Sequence, residues 1–145
     1  MSLLSELTSF INKVNIKAMA TMGLDFGEKL NLISKCVDML FYKPIRNHVR
    51  PVEKLLQLRA VTFNNLSCLY KENRKSDDAL KSLEVALEIE ETLLDKNFED
   101  TYKSIASTYI NKSVIMSGMS LHEEAIETIE TSLESMDRYL SLIHI

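Results

Sequence analysis

Apolar residues recur along this chain at steps of three and four, the spacing that places side chains on one face of an α-helix. In residues 3–22 the pattern includes Leu7, Ile11 and Ala18, and in residues 25–42 it includes Ile33 and Leu40. Comparable patterns follow at residues 51–73, 76–96, 100–118 and 120–145. The sequence therefore predicts an all-α protein of about six helices that pair as antiparallel hairpins.

Turn and cap residues mark the boundaries of these helices. Pro51 suits the first turn of the third helix, Ser76 is placed to cap the fourth, and Ser120 with Glu123 has capping-box spacing for the last. Residues 43–52 contain two prolines, Pro44 and Pro51, among basic residues, and we predict a linker loop there.

Composition agrees with a helical domain. The 145 residues fit one domain, 46% of them are hydrophobic, and three glycines and two prolines leave little material for the turns of a sheet. The first residues lack the basic start and continuous apolar run of a signal peptide, and no segment is apolar enough to span a membrane. We expect a cytoplasmic protein.

One segment has the spacing W-x2-L-G-x2-Y followed by A-x3-F, with small residues where two helices approach closely. The positions are Phe63, Leu66, Ser67, Tyr70, Ala79, Leu83 and Ala86. Residues 60–94 thus resemble a tetratricopeptide repeat, although phenylalanine replaces tryptophan, serine replaces glycine and the closing proline is absent. The resemblance implies a right-handed, TPR-like helical solenoid that binds other proteins and has no catalytic activity.

The same pattern returns at two shifts. A shift of 46 places Ala125 on Ala79, and a shift of 50 places four residues in core positions of a degenerate pair, Ile16, Ala20, Ile33 and Cys36. The predicted division is a degenerate pair at 1–42, a linker at 43–52, and TPR-like repeats at 53–97 and 98–145. The apolar end of the last repeat predicts either that a partner covers it or that the sequence is truncated. Such extended repeats are similar to those of kinesin light chain and of protist ciliary proteins, which implies a cilium or axoneme and partners such as tubulin or axonemal proteins.

Asn15, Asn65 and Asn111 occupy one equivalent position when the three pairs are aligned. In the tetratricopeptide family the first helix of each pair lines a concave groove, where an amide can pair with the backbone of an extended peptide. The resemblance therefore implies peptide binding at these residues. The alternatives are that the amides bond only to neighbouring backbone or water, or that the alignment of the first pair is wrong.

Basic residues are concentrated around the predicted linker. Such a patch could bind acidic protein tails or phosphates, whereas a solvated linker would explain the same residues without a partner. Nucleic-acid binding is a further alternative, although no aromatic residues alternate with the basic ones. The predicted patch consists of Lys43, Arg46, Arg50, Lys54 and Arg59.

The usual components of catalysis and metal binding do not occur together in the sequence. His48, His122 and His144 stand singly, Cys36 and Cys68 form no C-x-x-C pair, and no phosphate-binding glycine loop is present. We therefore predict no enzyme activity, metal or cofactor. The glutamates of the last segment are predicted to line an exposed helix face.

Two functions are consistent with these patterns. Residues 1–75 carry 12 basic against 6 acidic residues and residues 76–145 carry 5 against 15, an asymmetry that favours ordered packing in a larger assembly. That asymmetry and the apolar C-terminal segment favour a structural subunit or scaffold. The asparagine series instead favours a free adaptor that binds extended peptides.

Overall fold

The computed structural model describes residues 2–21, 23–96, 98 and 101–143. All regular structure in these residues is α-helical, which confirms the predicted all-α class. They form seven helices rather than about six: α1 (Leu3–Ala20), α2 (Phe26–Phe41), α3 (Lys43–His48), α4 (Val52–Glu72), α5 (Ser76–Asp95), α6 (Thr101–Gly118) and α7 (His122–Ile143).

The first hairpin consists of α1 and α2, and each helix begins with a side-chain cap. Ser2 Oγ accepts from the Ser5 amide at 3.1 Å and Asp25 Oδ1 accepts from the Glu28 amide at 2.8 Å, so each cap bonds an amide that has no partner within its helix. Both helices pack against α4. The shared core contains Leu7, Ile11, Cys36, Leu40, Val49, Leu55 and Leu58.

The prediction of a linker loop at 43–52 is wrong, because residues 43–48 form α3. Pro44 lies in the first turn, where a proline costs no hydrogen bond. The turns close through bonds from Arg46 N to Tyr42 O and from Val49 N to Ile45 O, both 2.9 Å. Val49 is 1% exposed and anchors the end of α3 in the core, so the segment is part of the packed fold.

The turns α4–α5 and α6–α7 have the same backbone geometry. Arg74 and Ser120 follow their helices with φ of 59° and 65°, in the left-handed region. Each next residue donates back into the helix, from Lys75 N to Tyr70 O and from Leu121 N to Met116 O, both 2.9 Å. This is the Schellman arrangement, and the two turns are 46 residues apart.

These turns correct two predicted caps. Ser76 is the first residue of α5 and the preceding Lys75 makes no side-chain cap bond. Ser120 is the residue of the second turn with left-handed backbone. It lies two positions before α7 and is therefore not the cap of that helix. The Schellman bonds satisfy carbonyl groups at the ends of α4 and α6, and neither serine occupies the cap position that the sequence predicts for it.

Buried positions within the two hairpins also repeat at 46 residues. Thr62 Oγ1 donates to the Leu58 carbonyl four residues earlier at 2.8 Å, and Thr108 Oγ1 lies 3.1 Å from the carbonyl at the same spacing; both side chains are buried. Ala79 is 0% exposed and Ala125 is 8% exposed, as small residues between close helices must be. The predicted shift of 46 therefore describes the three-dimensional repeat.

The predicted shift of 50 holds for only one helix of the first hairpin. Ile33 and Cys36 of α2 are fully buried, as the alignment requires. Ile16 is 66% exposed and Ala20 is also exposed, so the predicted core roles on α1 are wrong. The buried stripe of α1 instead contains Leu7, Ile11, Asn15 and Ala18, which follow its contacts with α2 and α4.

The hairpins pack in chain order. Helices α1 and α2 contact α4, α5 contacts both α4 and α6, and α7 packs on α6. Three aliphatic side chains hold the second and third hairpins near their turns, Ala79, Leu83 and Ile115, with Tyr70 and Met119 against them. This packing order determines which helix surfaces are covered and which stay exposed.

Candidate protein-binding surfaces

Two of the three predicted asparagines lie in one pocket. Asn15 reaches it from α1 and Asn65 from α4, and the cavity volume is about 310 Å³. Asn111 lies on α6 and does not line this pocket. The lining residues are Asn12, Asn15, Ile16, Met19, Val61 and Asn65.

The Asn15 amide is buried without a partner. The residue is 5% exposed, and neither its Nδ2 nor its Oδ1 makes a hydrogen bond to the described residues. An unpaired buried donor or acceptor costs ~1–3 kcal/mol, so such groups are rare unless something binds them. A peptide backbone offers both the acceptor and the donor that this side chain lacks.

A second polar cluster, absent from the sequence predictions, joins α4, α5 and α6. Glu90 of α5 is 1% exposed and accepts hydrogen bonds from Thr108 Oγ1 at 2.6 Å and from Ser104 Oγ. Asn64 Nδ2 of α4 donates to Thr108 Oγ1 at 3.0 Å. Each of these hydroxyls and amides bonds to another helix, so the cluster fixes the relative position of the three helices.

Burial dominates the protonation of Glu90. It raises the pKa of the carboxyl above its usual range, because the charged form loses its hydration, and the hydrogen bonds from Ser104 and Thr108 oppose part of this shift. The α5 apolar pattern, which places residue 90 in line with Leu83 and Leu87, is the sequence signal that could have indicated its burial.

The predicted basic patch is divided by the fold. Arg59 is 9% exposed and donates through Nε and Nη2 to the Leu40 carbonyl at 3.2 and 2.9 Å. Its guanidinium lies 4.1 Å from the centre of the Phe41 ring. Arg59 therefore bonds the carboxyl end of α2 and does not face a partner, which corrects its assignment to the patch.

Burial lowers the pKa of Arg59, and the charge of Arg46 lowers it further. Lys54 is half-buried, with Nζ 5.3 Å from the Phe98 ring. Lys43, Arg46 and Arg50 are exposed on and beside α3. The exposed basic surface is thus shorter than the sequence predicts.

The last helix carries an exposed apolar stripe. Ile126, Leu133 and Leu140 recur every seven residues and are 59%, 64% and 41% exposed. Ile129 and Met136 lie between them at steps of three and four and are half-buried. We name these five residues the α7 stripe; their spacing is that of a helix surface that packs on another helix.

An apolar groove adjoins this stripe. It has a volume of about 380 Å³ and lies between α6 and α7, with Val114 of α6 46% exposed on one side. Its remaining lining residues are Ser113, Ser117, His122, Ala125, Ile126, Ile129 and Glu130. Ile126 and Leu133 belong to the apolar helical pattern predicted for residues 120–145, yet the structure leaves both in solvent.

Acidic residues border the stripe. The predicted exposed face is confirmed, since all five of its glutamates are exposed: Glu123, Glu124, Glu127, Glu130 and Glu134. Asp137 is exposed as well. The α7 surface is therefore an apolar strip with a negative border, which selects for a partner with positive charge.

The described histidines stay apart from acids that could orient them. His122 Nδ1 lies 3.4 Å from Ser117 Oγ in the α6–α7 turn, and His48 Nδ1 lies 2.7 Å from the Pro44 carbonyl. His144 lies outside the described residues. In the ranges that are described, no three metal-ligating side chains come together, and no helix is long and apolar enough to cross a bilayer.

No protein-family model, curated protein or solved structure matches this chain. The tetratricopeptide resemblance therefore stays a prediction from the motif at residues 60–94.

Proposed function

We propose that this chain acts without catalysis as a protein-binding subunit or scaffold of a larger assembly. The α7 stripe is the observation that supports this function most strongly. Three aliphatic side chains at a seven-residue spacing are 41–64% exposed along one helix, and exposed apolar surfaces of this kind are typical of protein interfaces. The stripe supplies the apolar core of an interface and its acidic border supplies the rim.

The assembly role goes with a proposed architecture. Three hairpins that pack in chain order, two of them repeating at 46 residues, support a right-handed TPR-like solenoid in which each hairpin covers the one before it. In such a stack a neighbouring element covers the outer surface of each hairpin, and among the described residues the α7 surface has no such cover. A ciliary or axonemal location, with tubulin or axonemal proteins as partners, is proposed from sequence patterns alone.

Sedimentation of the chain from its native source tests this function. Tagged wild-type protein should sediment in a complex well above 16.6 kDa, and Leu133→Glu should shift it towards the free chain because a carboxylate cannot enter an apolar interface. Leu3→Glu is the matched control, since Leu3 is an exposed leucine on α1. A free wild-type chain, or equal complexes in both variants, would refute the subunit role.

A free adaptor is the second candidate, and the unpaired Asn15 amide favours it. In this reading an extended peptide enters the pocket between α1 and α4 and exchanges hydrogen bonds with Asn15 and Asn65. Peptides selected from a random library should lose binding in Asn15→Ala and keep it in Asn111→Ala, which lies outside the pocket. Selection that enriches no peptide, or binding that ignores Asn15→Ala, would remove this candidate.

Nucleic-acid binding through residues 43–59 has little support, because Arg59 bonds within the fold and Lys54 is half-buried. The exposed residues Lys43, Arg46 and Arg50 are better suited to an acidic protein segment near α3.

A further inference from the structure

The α4–α5 hairpin shows how the surface of the α6–α7 hairpin becomes covered. A shift of 46 residues relates their turns and their buried hydroxyls and alanines. Helix α5 lies against α4 on one side and α6 on the other. Helix α7 is the counterpart of α5 and packs on α6, the counterpart of α4.

Burial at matched positions separates the two sides of these helices. On the side within the hairpin, Ala79 and Ala125 are both buried, as are Ala86 and Ser132. On the other side the pairs differ sharply, since Leu87 is 6% exposed whereas its counterpart Leu133 is 64% exposed. The α7 stripe is thus the surface that α6 covers on α5.

Helix α6 shows what chemistry suits this surface. Its hydroxyl groups donate to acids of α5, with Thr108 Oγ1 2.6 Å from Glu90 Oε1 and Tyr109 Oη 3.0 Å from Glu91 Oε1. It contains Lys103 and Lys112 and no acidic residue. The helix that it covers is strongly acidic, with Asp77, Asp78, Glu84, Glu88, Glu90, Glu91 and Asp95 against the single Lys81.

Helix α7 preserves the acidic character of α5 and makes its centre more apolar. Asp137 stands at the position of Glu91, while Met136 replaces the buried Glu90. Arg138 is the only lysine or arginine of α7, whose first residue is His122. A suitable partner therefore needs aliphatic contact at the centre and positive or hydroxyl groups at the edges.

We infer that the α7 stripe docks an amphipathic helix from a partner protein, one that resembles α6 in chemistry. The docked helix presents aliphatic and hydroxyl side chains to Ile126, Leu133 and Leu140, carries lysine or arginine beside them, and lacks acids. This inference rests on the proposed assembly function and names its partner class. Pairing of two α7 helices from two copies is disfavoured, because their acidic borders would face each other.

A helix of known sequence serves as the probe. Residues 101–118 are synthesised as a labelled peptide and stapled covalently at exposed positions, since an isolated helix of this length is only marginally stable. Fluorescence anisotropy then measures its binding to the full chain. Saturable binding is expected, weakened at least ~10-fold by Leu133→Glu and unchanged by Leu3→Glu.

Charge is tested in the peptide. Exchanging Lys103 and Lys112 for glutamate should weaken binding several-fold, and added salt should weaken the wild-type peptide in the same direction. Equal binding of the acidic peptide would overturn the inferred chemistry of the partner. The probe could also bind by displacing the chain's own α6. Leu133→Glu would not weaken such binding, so binding that is unchanged in this variant contradicts the inference.

The remaining outcomes separate the inference from the proposed function. No saturable binding of the stapled helix overturns the inference. Self-association that Leu133→Glu abolishes, measured by light scattering over a concentration series, makes a second copy the occupant and overturns it too. If either result is found while native complexes still depend on Leu133, the subunit role holds and only the partner class is wrong.

Discussion

At the scale of single residues, three buried polar side chains make, or lack, hydrogen bonds that the pattern of helices does not reveal. Asn15, Glu90 and Arg59 are all at least nine-tenths buried, and each has a different electrostatic environment. Arg59 bonds a carbonyl, Glu90 accepts from hydroxyls, and the Asn15 amide has no partner among the described residues. Of the three, only Asn15 has unpaired side-chain groups with which it could bind a ligand.

The pH dependence of stability should reveal Glu90. Its pKa in the folded chain is raised from about 4.5, so the folded state keeps a proton that the unfolded state has lost. The stability it contributes is complete below pH 4.5 and decreases as pH rises through the folded pKa. The difference in unfolding free energy between wild type and Glu90→Gln should therefore fall with rising pH, as measured by urea unfolding at several pH values. A difference that is constant or rises with pH would contradict the assignment.

Replacing Asn15 should separate binding from stability. In Asn15→Leu the unpaired buried amide disappears at similar volume, and we expect the free energy of unfolding to increase by ~1–3 kcal/mol. Asn12→Leu is the control, because Asn12 lines the same pocket but is exposed. Thermal and urea unfolding measure both variants. A clear loss of stability in Asn15→Leu would mean that the amide is bonded in the free chain.

At the scale of elements, helix periodicity predicted most of the helices, while their connections depended on distant contacts. Ala79, Leu83 and Ala86 are fully buried as the motif required. Pro44 indicated a loop, yet residues 43–48 form α3 and Val49, directly after it, enters the core. The Arg59 bond to Leu40 joins residues 19 apart and could not be read from local spacing. Ser76 and Ser120 matched cap patterns, but backbone bonds formed the turns.

The repeat itself predicts paired effects of substitution. Ala79→Leu and Ala125→Leu occupy matched positions between close helices, and overpacking should cost each ~1–3 kcal/mol of unfolding free energy. Ala20→Leu is a control, because Ala20 is exposed on α1. Chemical denaturation of the three variants measures the costs. If Ala125→Leu behaved like Ala20→Leu, the 46-residue equivalence of the hairpins would be wrong.

For the whole molecule, two separate surfaces are candidates for binding another protein. The pocket with Asn15 and Asn65 lies between the first two hairpins, whereas the α7 stripe lies on the last helix. Asn15 and Asn65, which the sequence places at equivalent groove positions, line one pocket, although the α1 part of the alignment behind that prediction fails at Ile16 and Ala20. It did not predict exposure of the stripe, because helical periodicity cannot distinguish a face covered within the chain from one covered by another protein.

Side-chain oxidation by hydroxyl radicals tests the central claim most directly, since it reports the solvent access of Leu133 and Met136 in the free chain and in complexes from the native source. Both residues should be oxidised readily in the free chain and protected in the complex, while Leu3 should be oxidised equally in the two samples. Equal oxidation of Leu133 and Met136 in both samples would show that the α7 stripe is not the surface through which this protein assembles.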